Sequence, residues 1–200
     1  MNGGLVWLLV ALGVGVPVVR RRSVAVGLVT AQALVLAGAA VANGHETTAA
    51  VALALRAAVL ATLLLFVVAR TREPRPVRAG IPPLARAGLG VALALALTWL
   101  VPAIGLSSRN VERGVLALVA FGAITVATRR ATLFHILGIV LAENGLALAA
   151  LELPRGSSQA LELGVGFDLT LVAFVAAVFH ERIFAEFGAG DSAALRSLRD

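Results

Sequence analysis

The sequence predicts an all-α integral membrane protein of about seven transmembrane helices, with the N-terminus outside and the C-terminus in the cytoplasm. Sixty per cent of the 200 residues are hydrophobic and only 14% are charged, whereas ordinary soluble chains carry about 25% charged residues. The hydrophobic residues form long runs, and about twenty helical residues cross a hydrocarbon core roughly 30 Å thick. The arginines between the runs also alternate in number from one break to the next.

Seven apolar runs are separated by breaks that carry charge, proline or glycine. The predicted spans are 3–19, 24–43, 49–69, 87–106, 111–128, 131–151 and 160–181. The first run has no positive residue ahead of its apolar core and is followed by Arg20, Arg21 and Arg22. This charge order is the reverse of that in a secretory signal peptide, so we expect the run to be retained as the first span.

The arginine distribution predicts the orientation. Thirteen arginines lie in breaks one, three and five and in the C-terminal tail: Arg20, Arg21, Arg22, Arg70, Arg72, Arg75, Arg78, Arg86, Arg129, Arg130, Arg182, Arg196 and Arg199. The alternate breaks hold only Arg109, Arg113 and Arg155. Because cytoplasmic loops are enriched in positive residues, this alternation is what seven spans with an external N-terminus would give.

Composition also limits the possible functions. The chain has no cysteine, so disulfides and thiolate metal sites are excluded. Its three histidines, His45, His135 and His180, are far apart in sequence, which argues against a zinc or haem site, and we expect no cofactor. The charge of +6 comes from arginines at the ends of apolar runs. That placement indicates membrane topology rather than a nucleic-acid-binding face.

Helix three carries an arginine, Arg56, among alanines and leucines. It lies about two turns from the predicted outer end, so its side chain could snorkel to the interface. Alternatively it is buried and paired with an acid. Depth favours pairing, because Arg56, Glu143 and Asp168 each lie roughly 11 Å from the outer ends of their own helices.

The segment between helices three and four and the two helices that follow carry no candidate chemistry. Residues 70–86 contain four prolines, which interrupt a helix: Pro74, Pro76, Pro82 and Pro83. We expect a cytoplasmic loop that touches lipid headgroups or a soluble partner. In helix four, Trp99 and Pro102 indicate an interfacial anchor and a helix end. Helix five contains small residues, Gly114 and Gly122 among them, which allow close helix packing.

Helix six, within Arg129–Leu151, places a carboxylate at membrane depth. Glu143 is followed by Asn144 and lies inside a run of leucine, isoleucine, valine and alanine. An ionisable group there costs about 2.5–3.5 kcal/mol on insertion scales and usually faces a partner or a water path. His135 stands eight residues earlier, about 80° away around the helix. It is either a proton-exchanging group near neutral pH or a histidine that forms a hydrogen bond at the interface.

Helix seven supplies a second carboxylate, Asp168, shortly after Gly164 and Gly166. An unpaired aspartate facing lipid is costly, so we predict a functional role for Asp168 together with Glu143. The tail, 183–200, is expected to form a short cytoplasmic helix on the membrane surface or on a partner. The candidate proton path is therefore Glu143, Asp168, Arg56 and His135.

The C-terminal half of the chain resembles the small K subunit of respiratory complex I. The resembling features are RRATLFHILGIVLAENGLALAAL, the aspartate twelve residues before His180, and the tail GDSAALRSLRD. In length and in its additional preceding spans, the whole chain is more similar to hydrogenase-4 component E, the membrane subunit of formate-hydrogenlyase-type and related group 4 nickel–iron hydrogenases. The ENG of helix six and the tail residues Phe184, Phe187 and Gly188 also fit that family.

The resemblance implies a subunit of an ion-translocating membrane arm in the cell inner (plasma) membrane, without a metal or redox centre of its own. K-type subunits carry two intramembrane glutamates in a proton path. Asp168 falls on the second of these, with Asp for Glu. The first falls on Val140, and the nearest carboxylate, Glu143, lies one turn later, displaced by about 4.5 Å along the helix.

Three functions remain open, and each uses the same division of the chain. Residues 1–106 form a four-helix membrane part, 107–182 a K-like three-helix part, and 183–200 the tail. The chain is a non-catalytic subunit of a hydrogenase or complex I-like complex, with antiporter-like subunits and the lipid bilayer as partners. Otherwise it is a subunit of a multisubunit cation/proton antiporter, or a structural membrane scaffold.

Overall fold

Apolar helices make up almost all of the described chain. The computed structural model describes residues 3–42, 47–71, 81–103, 105–152, 174, 176–182 and 184–185. Six helices lie within these ranges: α1 Gly3–Val18, α2 Arg22–Ala42, α3 Thr47–Thr71, α4 Pro83–Leu100, α5 Arg109–Thr128 and α6 Thr132–Glu152. Residues 174, 176–182 and 184–185 are helical as well. The rest of the predicted seventh span, and Asp168 with it, lies outside the described residues.

Five of these helices are long and apolar enough to cross a membrane, which indicates a multi-pass membrane protein. The five candidate spans are Arg22–Ala42, Ala50–Arg70, Pro83–Leu100, Arg109–Thr128 and Thr132–Glu152. Helix α1 is equally apolar but has only 16 residues. The all-helical membrane fold is therefore confirmed, while the number of seven spans and the orientation of the termini stay predictions.

The predicted helix boundaries agree with the structure to within a few residues except at α4. The prediction for this helix, 87–106, is wrong at both ends, because α4 begins at Pro83 and ends at Leu100. A proline is well tolerated in the first turn, where its missing N–H has no intrahelical acceptor. The predicted loop 70–86 is shorter than expected, since α3 also continues to Thr71.

The tightest packing is between α5 and α6, where two glycines face each other. A Cβ atom added to Gly122 would lie 2.5 Å from the carbonyl oxygen of Gly138. One added to Gly138 would lie 2.7 Å from the carbonyl oxygen of Gly122. The absence of side chains lets the two backbones touch, which is the packing that small residues allow in membranes. Helix α1 packs against α5 as well, where Val6 fills the space above Gly114.

The helices collect the arginine-bearing breaks at one end of the bundle. A guanidinium nitrogen of Arg129, after α5, donates to the carbonyl of Val19, after α1. Nearby in sequence are Arg20, Arg21, Arg22 and Arg130, and we call this the arginine-rich end. At the opposite end, the Ser107 hydroxyl before α5 donates to the Glu152 carboxylate at the end of α6. Helices α5 and α6 thus run antiparallel, and α1 and α5 end on the same side of the bundle.

The outer surface of α4 is apolar and open. Leu84, Trp99 and Leu100 are each more than three-quarters exposed. Large exposed apolar patches mark membrane or protein contact surfaces. The face of α4 that points away from α5 is therefore suited to lipid or to a neighbouring membrane subunit.

Candidate functional site: a buried polar layer in the helix bundle

Helix α6 places two polar side chains, Glu143 and Asn144, near its middle, and both are buried. Successive helical residues point about 100° apart, so the two side chains meet different neighbours. Glu143 faces Arg56 of α3, and Asn144 faces Gln32 of α2. Helix α2 packs against both α3 and α6, which places these four side chains in one layer across three helices.

The Arg56 guanidinium and the Glu143 carboxylate form an ion pair through Nη2 and Oε2. The exposed fraction is 12% for the Arg56 side chain and 3% for that of Glu143. The structure thus pairs Arg56 with an acid, as the similar depths of Arg56 and Glu143 in the predicted spans suggested. Removing two charges from water costs several kcal/mol per ion, and their attraction repays this only with good geometry. A buried pair is therefore weak evidence for a purely stabilising role.

The second half of the layer is a chain of neutral hydrogen bonds. The side-chain amide of Asn144 donates to Oε1 of Gln32 at 2.8 Å, and Nε2 of Gln32 donates to the carbonyl oxygen of Leu9 at 2.8 Å. These two hydrogen bonds connect α6 through α2 to α1. Carboxamides do not ionise near neutral pH, so these bonds fix the rotation of α6 next to Glu143 rather than move charge.

Sequence reasoning missed Gln32 as a member of this layer. The available indication was a long polar side chain in the middle of the otherwise apolar α2. An amide at that depth needs hydrogen-bond partners, but nothing in the sequence identifies the partner. Asn144 stands out in the sequence as a polar residue beside Glu143, but the sequence gives it no specific role.

A small cavity of about 20 Å³ lies beside Arg56. Arg56 and Asn144 line it together with apolar side chains of α2, α3 and α6, among them Val26, Val29, Leu53, Leu60, Leu64 and Val140. A cavity needs about 10–15 Å³ to hold a water molecule, and the water needs polar partners. The cavity is therefore large enough for one water next to Arg56. Its lining extends toward Val26 and Leu64, in the direction of the arginine-rich end.

His135 lies away from this layer. Its Nε2 is 2.6 Å from the carbonyl oxygen of Arg129, at the start of α6. The eight residues between His135 and Glu143 correspond to about 12 Å along the helix axis. The structure thus places His135 in the hydrogen bond expected of an interfacial histidine, and its part in a proton path stays a prediction.

The described residues offer no site for a metal ion. Among them, no three histidine, cysteine, aspartate or glutamate side chains come together. The chemistry available in the layer is that of one ionisable pair, Arg56 and Glu143, held between amide hydrogen bonds and a space for water.

Comparison with protein-family models, with curated proteins and with solved structures finds no match to this chain. A functional interpretation therefore depends on the geometry of the polar layer and on the residues themselves.

Proposed function

We propose that this chain is a non-catalytic membrane subunit of a redox-driven, ion-translocating complex of the group 4 hydrogenase or complex I-like type. In this proposal it lies in the cell inner (plasma) membrane beside antiporter-like subunits and contributes buried charged groups to a proton path. The observation that carries the proposal is the Arg56–Glu143 pair, buried within two candidate membrane spans.

The argument begins with the free energy of the pair. A hydrophobic pair of similar volume would be about as stable as a buried ion pair, or more so. Charged groups inside the membrane usually line ion or proton pathways. The cavity that Arg56 and Asn144 line, which has room for a water, is the second supporting feature, because a water there would lie next to the guanidinium group that pairs with Glu143.

The proposed mechanism is a change of ion-pair partner. While Arg56 neutralises it, Glu143 stays ionised. When Arg56 moves away, a buried carboxylate without a counter-charge favours its neutral form and takes up a proton. Return of Arg56 releases the proton. Asp168, on the predicted seventh span, is proposed as the alternative partner of Arg56, and His135 as the exchanging group nearer the arginine-rich end.

The test is to replace Glu143 by glutamine, and Asp168 by asparagine, in the assembled complex purified in mild detergent. Glu152→Gln is the matched control, because Glu152 is a carboxylate of the same helix that bonds Ser107 at its end. We expect both test variants to assemble and to lose proton translocation together with the coupled redox turnover. Normal translocation and turnover in both variants would contradict the proposal.

Two other functions predict different results in the same experiment. For a cation/proton antiporter subunit, translocation depends on Glu143 in the same way but needs no electron donor. For a structural scaffold, the substitutions impair assembly, and whatever assembles translocates normally. The amide chain from Asn144 to Leu9 favours some scaffold contribution, since it connects three helices without carrying charge.

A further inference from the structure

The arginine-rich end contains two buried guanidinium groups, those of Arg86 and Arg129. Their residues are 1% and 2% exposed. Arg86 was expected to close the loop 70–86, but it lies in the first turn of α4. The close contact of Gly90 with Phe121 fixes α4 against α5. Because the two helices are antiparallel, Arg86, one turn before Gly90, is carried toward the end of α5, where Arg129 lies.

A third arginine, Arg20, completes the cluster. Its positive charge acts on both Arg86 and Arg129. Burial, and after it the charges of Arg86 and Arg20, lower the pKa of Arg129 to about 10. Arg20 is exposed, so the cluster is accessible to a ligand from outside the protein at this residue. Arg20, Arg86 and Arg129 are called the arginine cluster below.

The buried members have donors without acceptors among the described residues. Arg129 donates through Nη2 to Val19 and stacks on the ring of Phe134, with 3.8 Å between its Cζ atom and the ring centroid. Its Nε and Nη1 atoms, and the same two atoms of Arg86, are buried and make no hydrogen bond to any described group. A guanidinium group presents its donors in a planar fork that suits two oxygens of a phosphate.

No described carboxylate neutralises the cluster. The described ranges hold four acidic residues: Glu112, Glu143, Glu152 and Glu181. Glu143 pairs with Arg56, and Glu181 with Arg70. The Glu112 carboxylate accepts the backbone N–H of Gly105, and the Glu152 carboxylate accepts the Ser107 hydroxyl. These last two lie at the opposite end of the bundle.

A buried charge without a counter-charge is far more expensive than a paired one. Two such charges beside a third of the same sign raise the cost further, since like charges repel each other. The cluster stands where the candidate spans end, which is the level of lipid headgroups. Basic pockets between transmembrane helices bind the phosphates of acidic lipids at this level.

We propose that the arginine cluster binds the phosphate group of an anionic phospholipid, such as cardiolipin or phosphatidylglycerol, between α1, α4 and α5. Arg20 meets the incoming headgroup. Arg86 and Arg129 then donate their free Nε and Nη1 hydrogens to its phosphate oxygens. The acyl chains lie along the apolar outer face of α4. The bound lipid neutralises the cluster and ties α4 to the rest of the bundle.

The experiment uses the full chain, delipidated in mild detergent. Its binding is measured to phosphatidylcholine vesicles with or without cardiolipin, and to inorganic phosphate alone. We expect tighter retention on the cardiolipin vesicles than on phosphatidylcholine alone, since the apolar helices enter both bilayers and only the arginine cluster distinguishes them. We expect Arg86→Gln and Arg129→Gln to weaken it about tenfold or more, because each removes charge-assisted hydrogen bonds. Arg21→Gln, an exposed arginine of the same end, is the control and should change binding less than about twofold.

Arg86→Lys keeps the positive charge, so comparing it with Arg86→Gln separates a loss of lipid binding from misfolding of the glutamine variant. It should bind more tightly than Arg86→Gln. Equal binding of the wild type to both vesicle types would overturn the proposal, and so would glutamine variants that bind as well as Arg21→Gln. Binding of inorganic phosphate as tight as that of the cardiolipin vesicles would overturn the assignment to a lipid. A gain in lipid binding on truncation after residue 185 would show that a carboxylate of the tail is the natural counter-charge, which also contradicts the proposal.

Discussion

The Arg56–Glu143 pair can be tested as a coupled unit through its effect on unfolding. Both side chains are largely buried, so removing one partner leaves the other charge buried without a counter-charge. Such a loss costs about 3–5 kcal/mol. Arg56→Met alone and Glu143→Leu alone should each lower the free energy of unfolding by an amount in this range.

The double variant Arg56→Met/Glu143→Leu should behave differently. It replaces both charges by apolar side chains, a change that is often neutral or stabilising by about 1–4 kcal/mol. The assay is denaturant unfolding of the purified chain in detergent, followed by circular dichroism. The control cycle uses Arg70 and Glu181, whose side chains are 63% and 38% exposed, where the coupling should be below about 1 kcal/mol. Additive losses at Arg56 and Glu143 would refute the reasoning, because independent sites add.

Three further predictions concern packing, the amide chain and topology. Gly122→Ala should cost about 1–3 kcal/mol of unfolding free energy, since its Cβ meets a backbone carbonyl of α6; Gly38→Ala, with open space around it, should cost nothing. Gln32→Leu should cost about 1–3 kcal/mol in the same assay by leaving a buried amide unsatisfied, and a smaller loss would contradict its role. Because the chain lacks cysteine, Arg109→Cys and Arg130→Cys can be labelled singly with an impermeant thiol reagent in sealed vesicles. They flank the two ends of α5 and should react from opposite sides, and labelling of both from one side would contradict a membrane-spanning α5.

Hydrophobic runs and arginine positions predicted most of the fold. The runs located α1, α2, α3, α5 and α6 to within a few residues, because each break contains charge or glycine. They failed for α4. The four prolines of 70–86 were all assigned to a loop, although Pro82 precedes the helix and Pro83 begins it. Proline marks the first turn of a helix as readily as a loop, and sequence alone does not distinguish the two.

The candidate site was predictable only in part. Depth along each helix suggested that Arg56 and Glu143 meet, since charged groups at the same level of a bilayer gain from pairing. The partner of Asn144 was not predictable, because it depends on how α2 is rotated against α6. The burial of Arg86 was missed for a similar reason. An arginine near a helix end is usually solvated, whereas this one is one turn before Gly90, on the side of α4 that packs on Phe121 of α5.

Proton translocation by the assembled complex that carries Arg56→Met/Glu143→Leu tests the central claim most directly. This variant removes both ionisable groups while keeping the volume and stability of the layer. Our account predicts normal assembly, with translocation in sealed vesicles reduced about tenfold or more. Normal assembly with translocation equal to that of the wild type would contradict it.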